Sequence, residues 1–199
     1  MIRVQTFLFA AAAILALVAG GLVFYAGSRL SGSGGMPAAL SDIGGPFRLV
    51  DQNGRPRTDK DFRGRYVLVY FGYTYCPDVC PTTLETVADA LAKLGPRADR
   101  IVPVFITVDP ERDSPAVLKK YLGEFGNRFV GLTGSLADIT KVAHAYRVYF
   151  AKHPMPGGGY SVDHSSTLYL LGPDGKLVTF YDTSTNSAAL AADLQARLG

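Results

Sequence analysis

Tyr66-Val-Leu-Val-Tyr-Phe71-Gly72-Tyr-Thr-Tyr-Cys76-Pro-Asp-Val-Cys80-Pro81 runs from an apolar stretch straight into the only two cysteines of the 199-residue chain. Tyr66 to Phe71 is continuously apolar or aromatic, rich in Val and Tyr, and closed by Gly72, the pattern of a strand buried on both faces. It belongs at the centre of a sheet. Beyond the cysteines, Pro81 to Leu94 carries Leu84, Val87, Ala88, Leu91 and Leu94 at one-face helical spacing, and Gly95-Pro96 ends it. Cys80 therefore sits at the mouth of a helix.

Working outward, Phe47 to Val50 and the turn Asp51-Gln52-Asn53-Gly54 suggest a hairpin. A second buried strand runs from Ile101 to Val108, with Pro103 marking an irregular entry because proline cannot donate to a ladder. Ser114-Pro115 reads as an N-cap with proline at the first helical position, opening a helix to about Phe125. Phe129 to Leu132 suits a short strand. A capping-box-like pattern at Ser135 to Asp138 opens another helix to about Tyr146, with Leu136, Ile139, Val142, Ala143 and Tyr146 inward. Arg147 to Asp163 reads as loop, centred on Met155-Pro-Gly-Gly-Gly159. Ser166 to Leu171 and Lys176 to Tyr181 flank Gly172-Pro-Asp-Gly175 as a hairpin, and Ala188 to Leu198 closes the chain as a helix. The expected class is α/β: a mixed sheet flanked by helices.

Two cysteines this close offer a reactive pair rather than a scaffold. Buried free cysteines are often inert small hydrophobes, but a helix amino terminus favours thiolate over thiol. Thiolates at this spacing can close into a disulfide or grip one soft metal ion. Three intervening residues, Pro77, Asp78 and Val79, differ from the two of a thioredoxin-type redox centre, yet neither use is excluded.

A third ligand would decide between them. His164 follows a glycine-rich loop able to carry it over the helix mouth, and it is the best candidate against the alternative of a hydrogen-bonded surface histidine. His144 and His153 default to structural or solvated roles, although His153 with Met155 makes a weak auxiliary copper site. Two thiolates and an imidazole suit Cu(I), and the imidazole suits Cu(II) as well. Zinc is the rival; its structural sites want four ligands and its catalytic ones three plus water. Asp109 lies at the carboxyl end of the Ile101 strand, where open α/β sheets place functional groups, and is positioned to orient a ligand or bind a partner. Asp113 reads instead as a helix-entry acid favoured by the dipole.

The formal charge of +3 is spread without a basic block, which leaves no electrostatic footprint for nucleic acid. Phe7 to Ala26 is an uncharged run of about 20 residues behind Arg3, long enough to cross a bilayer of roughly 30 Å. It exceeds a signal-peptide h-region, so an uncleaved anchor over residues 1–28 is expected. With no cysteine nearby, a lipoprotein anchor does not fit. Residues 29–45, rich in Gly, Ser and Ala, form a flexible tether, and residues 46–199 the globular domain. Arg3 and Arg29 nearly balance, but the short positive amino-terminal tail favours the domain outside the cytoplasm.

Three segments, Phe71-Gly-Tyr-Thr-Tyr-Cys-Pro-Asp-Val-Cys-Pro81, Val108-Asp-Pro-Glu-Arg-Asp-Ser-Pro115 and Val162-Asp-His-Ser165, together resemble the Sco/SenC family of copper chaperones for cytochrome c oxidase assembly. The resemblance covers roughly Pro46 to Leu198. It implies a thioredoxin-like fold with an extra hairpin, and one copper ion per chain, as Cu(I) or Cu(II), held by Cys76, Cys80 and His164. It matches Asp109 to an acidic position associated with the copper site or partner exchange. The implied task is maturation of the dinuclear copper centre of cytochrome c oxidase subunit II, by delivering copper, reducing the receiving cysteines, or both. A copper donor chaperone, a thiol reductant and the bacterial inner membrane, with the domain facing the periplasm, complete the implied setting. The competing function is an extracytoplasmic thiol-disulfide oxidoreductase or thiol peroxidase in which His164 is incidental.

Overall fold

The computed structural model describes residues 43–199; the expected anchor over residues 1–28, and the tether up to residue 42, lie outside the described residues. A seven-stranded mixed sheet forms the centre of the domain, in the order β2-β1-β5-β4-β3-β8-β9. Its strands are β1 (Arg48–Asp51), β2 (Pro56–Thr58), β3 (Tyr66–Gly72), β4 (Ile101–Thr107), β5 (Val130–Thr133), β8 (Leu168–Leu171) and β9 (Leu177–Tyr181). Among the described residues four α-helices accompany it: α1 (Val79–Leu94), α2 (Pro115–Gly123), α3 (Leu136–Ala145) and α4 (Ser187–Leu198).

The apolar runs end where they must for burial on both faces. β3 and β4 are parallel neighbours in register from Tyr66 with Ile101 to Gly72 with Thr107, and every β4 residue is buried. β5 extends the parallel set, while β1 and β8 close it antiparallel. Pro103 is tolerated in this central strand because the ladder to β5 begins only at Val104. On one face Phe71, Tyr146 and Tyr169 form an aromatic cluster, with Phe71 5.2 Å from Tyr146 and Tyr146 5.6 Å from Tyr169 between ring centres. Fully burying a side chain such as Phe71 contributes about 1.5–3 kcal/mol.

α2 and α3 start at the expected caps. Ser114 accepts from the Val117 amide ahead of Pro115, and Ser135 accepts from the Asp138 amide at 3.1 Å. α1 opens at Val79, two residues before Pro81, so Cys80 lies inside its first turn.

Arg147 to Asp163 is not the loop its composition suggests. Phe150–Pro154 (β6) and Tyr160–His164 (β7) pair antiparallel as a separate two-stranded ribbon. Of its residues only Val162 is buried, so neither strand shows the apolar alternation that betrays a half-buried strand. Gly157, Gly158 and Gly159, with φ of 91°, 102° and 79°, make its turn in a backbone region that other residues rarely adopt. Asp51 likewise belongs to β1 rather than to the turn after it, and β8 begins two residues later than Ser166.

Candidate metal centre

The β3–α1 connection presents both sulfurs. Cys76 lies in the loop, its amide donating to the Tyr73 carbonyl at 3.2 Å, and Cys80 is in the first turn of α1. No side chain caps that helix start, so its free amides and dipole face the thiols. Cys80 is fully buried and Cys76 is 9 % exposed; both are free thiols. Gly72 makes room for them. A Cβ at that position would sit 2.7 Å from Cys80 Sγ and 2.9 Å from the Phe105 ring, so any side chain there would displace the sulfur.

His164 arrives as the last residue of β7. Its Nδ1 lies 3.0 Å from the Ser165 carbonyl, which can only accept, so the ring proton sits on Nδ1. The lone pair of Nε2 is thereby turned toward Cys80 Sγ, 3.3 Å away. Tyr70 and Tyr73 hold the imidazole with edge-on contacts at 6.2 and 5.8 Å. The two sulfurs and a ring nitrogen of His164 all lie within 4.8 Å of one another, an arrangement that one ion could bridge.

The two sulfurs share one charge unequally. The Cys80 thiol donates toward Cys76, and this hydrogen bond outweighs burial to hold Cys76 well below the usual thiol range. The same bond to the Cys76 thiolate, together with burial, pushes Cys80 up. Tyr70, kept protonated chiefly by burial, points its hydroxyl at Cys80 Sγ from 3.9 Å. The charge of the pair thus falls on Cys76 and its proton on Cys80.

Asp109 does not join the three. It is fully buried, accepts from the Tyr160 hydroxyl at 2.8 Å and pairs with Arg112. Asp113 is more than a helix-entry acid: it accepts from the Thr74 amide at 3.1 Å and from the Thr74 and Thr107 hydroxyls, each at 2.6 Å. Burial nonetheless raises its pKa above the ordinary carboxylate value. These bonds fasten the β4–α2 loop to the loop that carries Cys76. His144 is exposed on α3, and His153 faces Asp163 at 3.1 Å on the outer side of the ribbon, so neither contributes to the sulfur site. Sequence reading missed Tyr70, Tyr73, Arg112 and Tyr160, which carry no ligand chemistry and become legible only once the ribbon is placed.

Known proteins share this construction. The chain matches the SCO1/SenC family over residues 36–199. It is 42 % identical over 159 residues to the mouse SCO1 homolog, a mitochondrial protein; the match takes in 78 % of this chain but 56 % of that one, so the chain spans little more than half the length of this relative. Bradyrhizobium japonicum ScoI, solved with copper bound, is 46 % identical with a TM-score of 0.73, over 77 % of this chain and 98 % of that one. BsSco, described as a member of the Sco family of cytochrome c oxidase assembly proteins and as containing a disulfide switch, is 28 % identical with a TM-score of 0.63, over 80 % of this chain and 95 % of that one. The thioredoxin-like mixed sheet, the additional ribbon and the paired cysteines facing a distant histidine agree with this sequence kinship, and the chain belongs to the SCO1/SenC family.

Proposed function

We propose that this chain is a membrane-anchored copper-binding assembly factor for the dinuclear copper site of cytochrome c oxidase subunit II. The observation that carries the reading is the convergence of Cys76 Sγ, Cys80 Sγ and a His164 ring nitrogen within 4.8 Å. Soft thiolates suit Cu(I), and an imidazole with its lone pair already aimed inward suits Cu(II) as a third ligand. Copper in ScoI and the assembly role in the description of BsSco support the choice of metal and task. One ion per chain is the stoichiometry of this single site.

The setting follows the sequence: residues 1–28 anchor the chain in a bacterial inner membrane, residues 29–45 tether it, and residues 46–199 face the periplasm. A copper donor chaperone loads the reduced pair. Subunit II receives the ion by ligand exchange at the mouth of α1, where Cys76, slightly exposed against a fully covered Cys80, is the first sulfur a partner can reach.

A second reading, favoured by the lowered Cys76 pKa beside a buried thiol, is reduction of a partner disulfide. The Cys76 thiolate attacks one partner sulfur and releases the other as thiolate; Cys80, giving up its proton, then attacks Cys76. A Cys76–Cys80 disulfide forms as two partner thiols appear, and a thiol reductant resets the pair.

The deciding experiment loads the reduced chain with Cu(I), offers the copper-free subunit II domain in its thiol and disulfide forms, and follows metal and thiols together. Copper appearing on subunit II with Cys76 and Cys80 still reduced marks delivery. Disulfide exchange without metal movement favours the reductase, and no copper on the parent chain removes the copper reading.

A further inference from the structure

The ribbon that carries His164 makes no ladder with the main sheet, and a lone two-stranded hairpin is marginal in water. Something must hold it over the thiols. Its far end is fastened through Tyr160, four positions before the histidine. The Tyr160 hydroxyl donates to Asp109 Oδ1 at 2.8 Å, the Tyr160 carbonyl accepts from Arg112 Nη1 at 3.0 Å, and the guanidinium carbon lies 3.8 Å from the Tyr160 ring centre. Arg112 Nε in turn donates to the buried Asp109 carboxylate.

The same guanidinium reaches the thiol side. Its carbon lies 4.7 Å from the ring centre of Tyr75, the residue before Cys76, and 5.7 Å from that of Tyr73, whose ring also packs on His164. Its loop is rooted by Asp113 to Thr74, two residues before Cys76. One short segment, Asp109 to Asp113, thus grips both halves of the site. Arg112 Nη2 is buried without a hydrogen-bond partner, a cost that its ion pair and ring contacts must offset. A further tie, Lys152 to Glu111 at 2.7 Å, joins more exposed groups and contributes little.

We infer that Arg112 is a positioning residue which, through Asp109 and Tyr160, holds the histidine ribbon against the dithiol and so sets how strongly the site takes Cu(II) relative to Cu(I). The inference rests on the copper reading above. Cu(I) is satisfied by the two sulfurs, which sit on β3–α1 independently of the ribbon, whereas Cu(II) needs the imidazole. Loosening the ribbon therefore costs the oxidised ion alone. Lysine cannot replace a group that donates in two directions while stacked on a ring.

The test compares the full-length parent chain with Arg112→Ala, Arg112→Lys and Tyr160→Phe. Arg112→Ala should weaken Cu(II) by roughly 10-fold and shift the thiolate-to-Cu(II) absorption, with Cu(I) affinity unchanged. Arg112→Lys should resemble Arg112→Ala. Tyr160→Phe, which removes one hydroxyl and keeps the ring, should shift the same properties less. In the copper-free chain, amide exchange at Ser161 to His164 should quicken while that of α1 holds. Equal loss of Cu(I) and Cu(II), or unaltered ribbon exchange in folded variants, would overturn the inference. A parent chain that takes no copper would sink the copper reading by itself, and exchange would still decide whether Arg112 holds the ribbon.

Discussion

His164 Nε2 lies 3.3 Å from Cys80 Sγ although 84 positions separate the two residues in the chain. One sits in the first turn of α1 and the other at the end of a ribbon outside the main sheet. The site is therefore an assembly of two halves on different elements, a dithiol on β3–α1 and an imidazole arm on the ribbon, both fastened by the segment Asp109 to Asp113. Its expected behaviour follows from that division.

Removing ligands should separate the halves. Cys76→Ala and Cys80→Ala should each abolish high-affinity copper, because a single thiolate does not chelate. His164→Ala should weaken Cu(II) by roughly 10- to 100-fold and leave Cu(I) nearly intact. Competition titrations with chelators for each oxidation state measure both constants; equal losses would contradict the division.

The unequal charge on the thiols predicts an alkylation pattern. Cys76, lowered by the hydrogen bond from Cys80, should react with iodoacetamide well below neutral pH, and Cys80 should stay protected. The stability that Cys76 gains is fully present above the ordinary thiol value of 9.0 and is lost as pH falls through its lowered folded value. Cys80 acts in the opposite sense, lowering stability as pH rises past 9.0, because the unfolded chain sheds that proton more readily. Denaturant midpoints of the reduced, metal-free protein across pH should rise toward that value and decline beyond it; a Cys76→Ser chain should lose the rising limb.

Gly72→Ala should damage the site without touching a ligand. The added methyl would lie 2.7 Å from Cys80 Sγ and 2.9 Å from Phe105 in a fully packed strand. Overpacking of this kind costs about 1–3 kcal/mol. Copper affinity should drop along with the thermal midpoint; a variant matching the parent in both would show that the sulfur has room to move.

Asp113→Ala should loosen the Cys76 loop. It leaves the Thr74 amide and the Thr74 and Thr107 hydroxyls without their acceptor, at about 1–3 kcal/mol for each group left unsatisfied in the interior. Asparagine can still accept through one oxygen while donating to a threonine hydroxyl, so Asp113→Asn should recover part of the loss. Urea unfolding of the three proteins gives the order; an alanine variant as stable as the parent would contradict it.

The central strands and the helix mouth at Cys80 were legible from local pattern, because β3 and β4 are buried on both faces and leave unbroken apolar runs, whereas Cys76, Cys80 and His164 were candidates by side-chain chemistry that the fold brings together. The caps at Ser114 and Ser135 were legible for the same reason: the group that satisfies the first helical amides lies within three residues of them. β6 and β7 were not, since an exposed ribbon buries only Val162 and has no apolar period to betray it. Without the ribbon, nothing local says that Tyr160 meets Asp109, that Arg112 stacks between the two halves, or that Asp113 hangs from Thr74. Sequence by itself determined which atoms can bind a soft ion, because that is a property of side-chain chemistry. Only the tertiary structure decided that they meet, because the contact between residues 80 and 164 depends on strand order, on a glycine at position 72 small enough to admit the sulfur, and on a buried ion pair that holds the histidine arm in place.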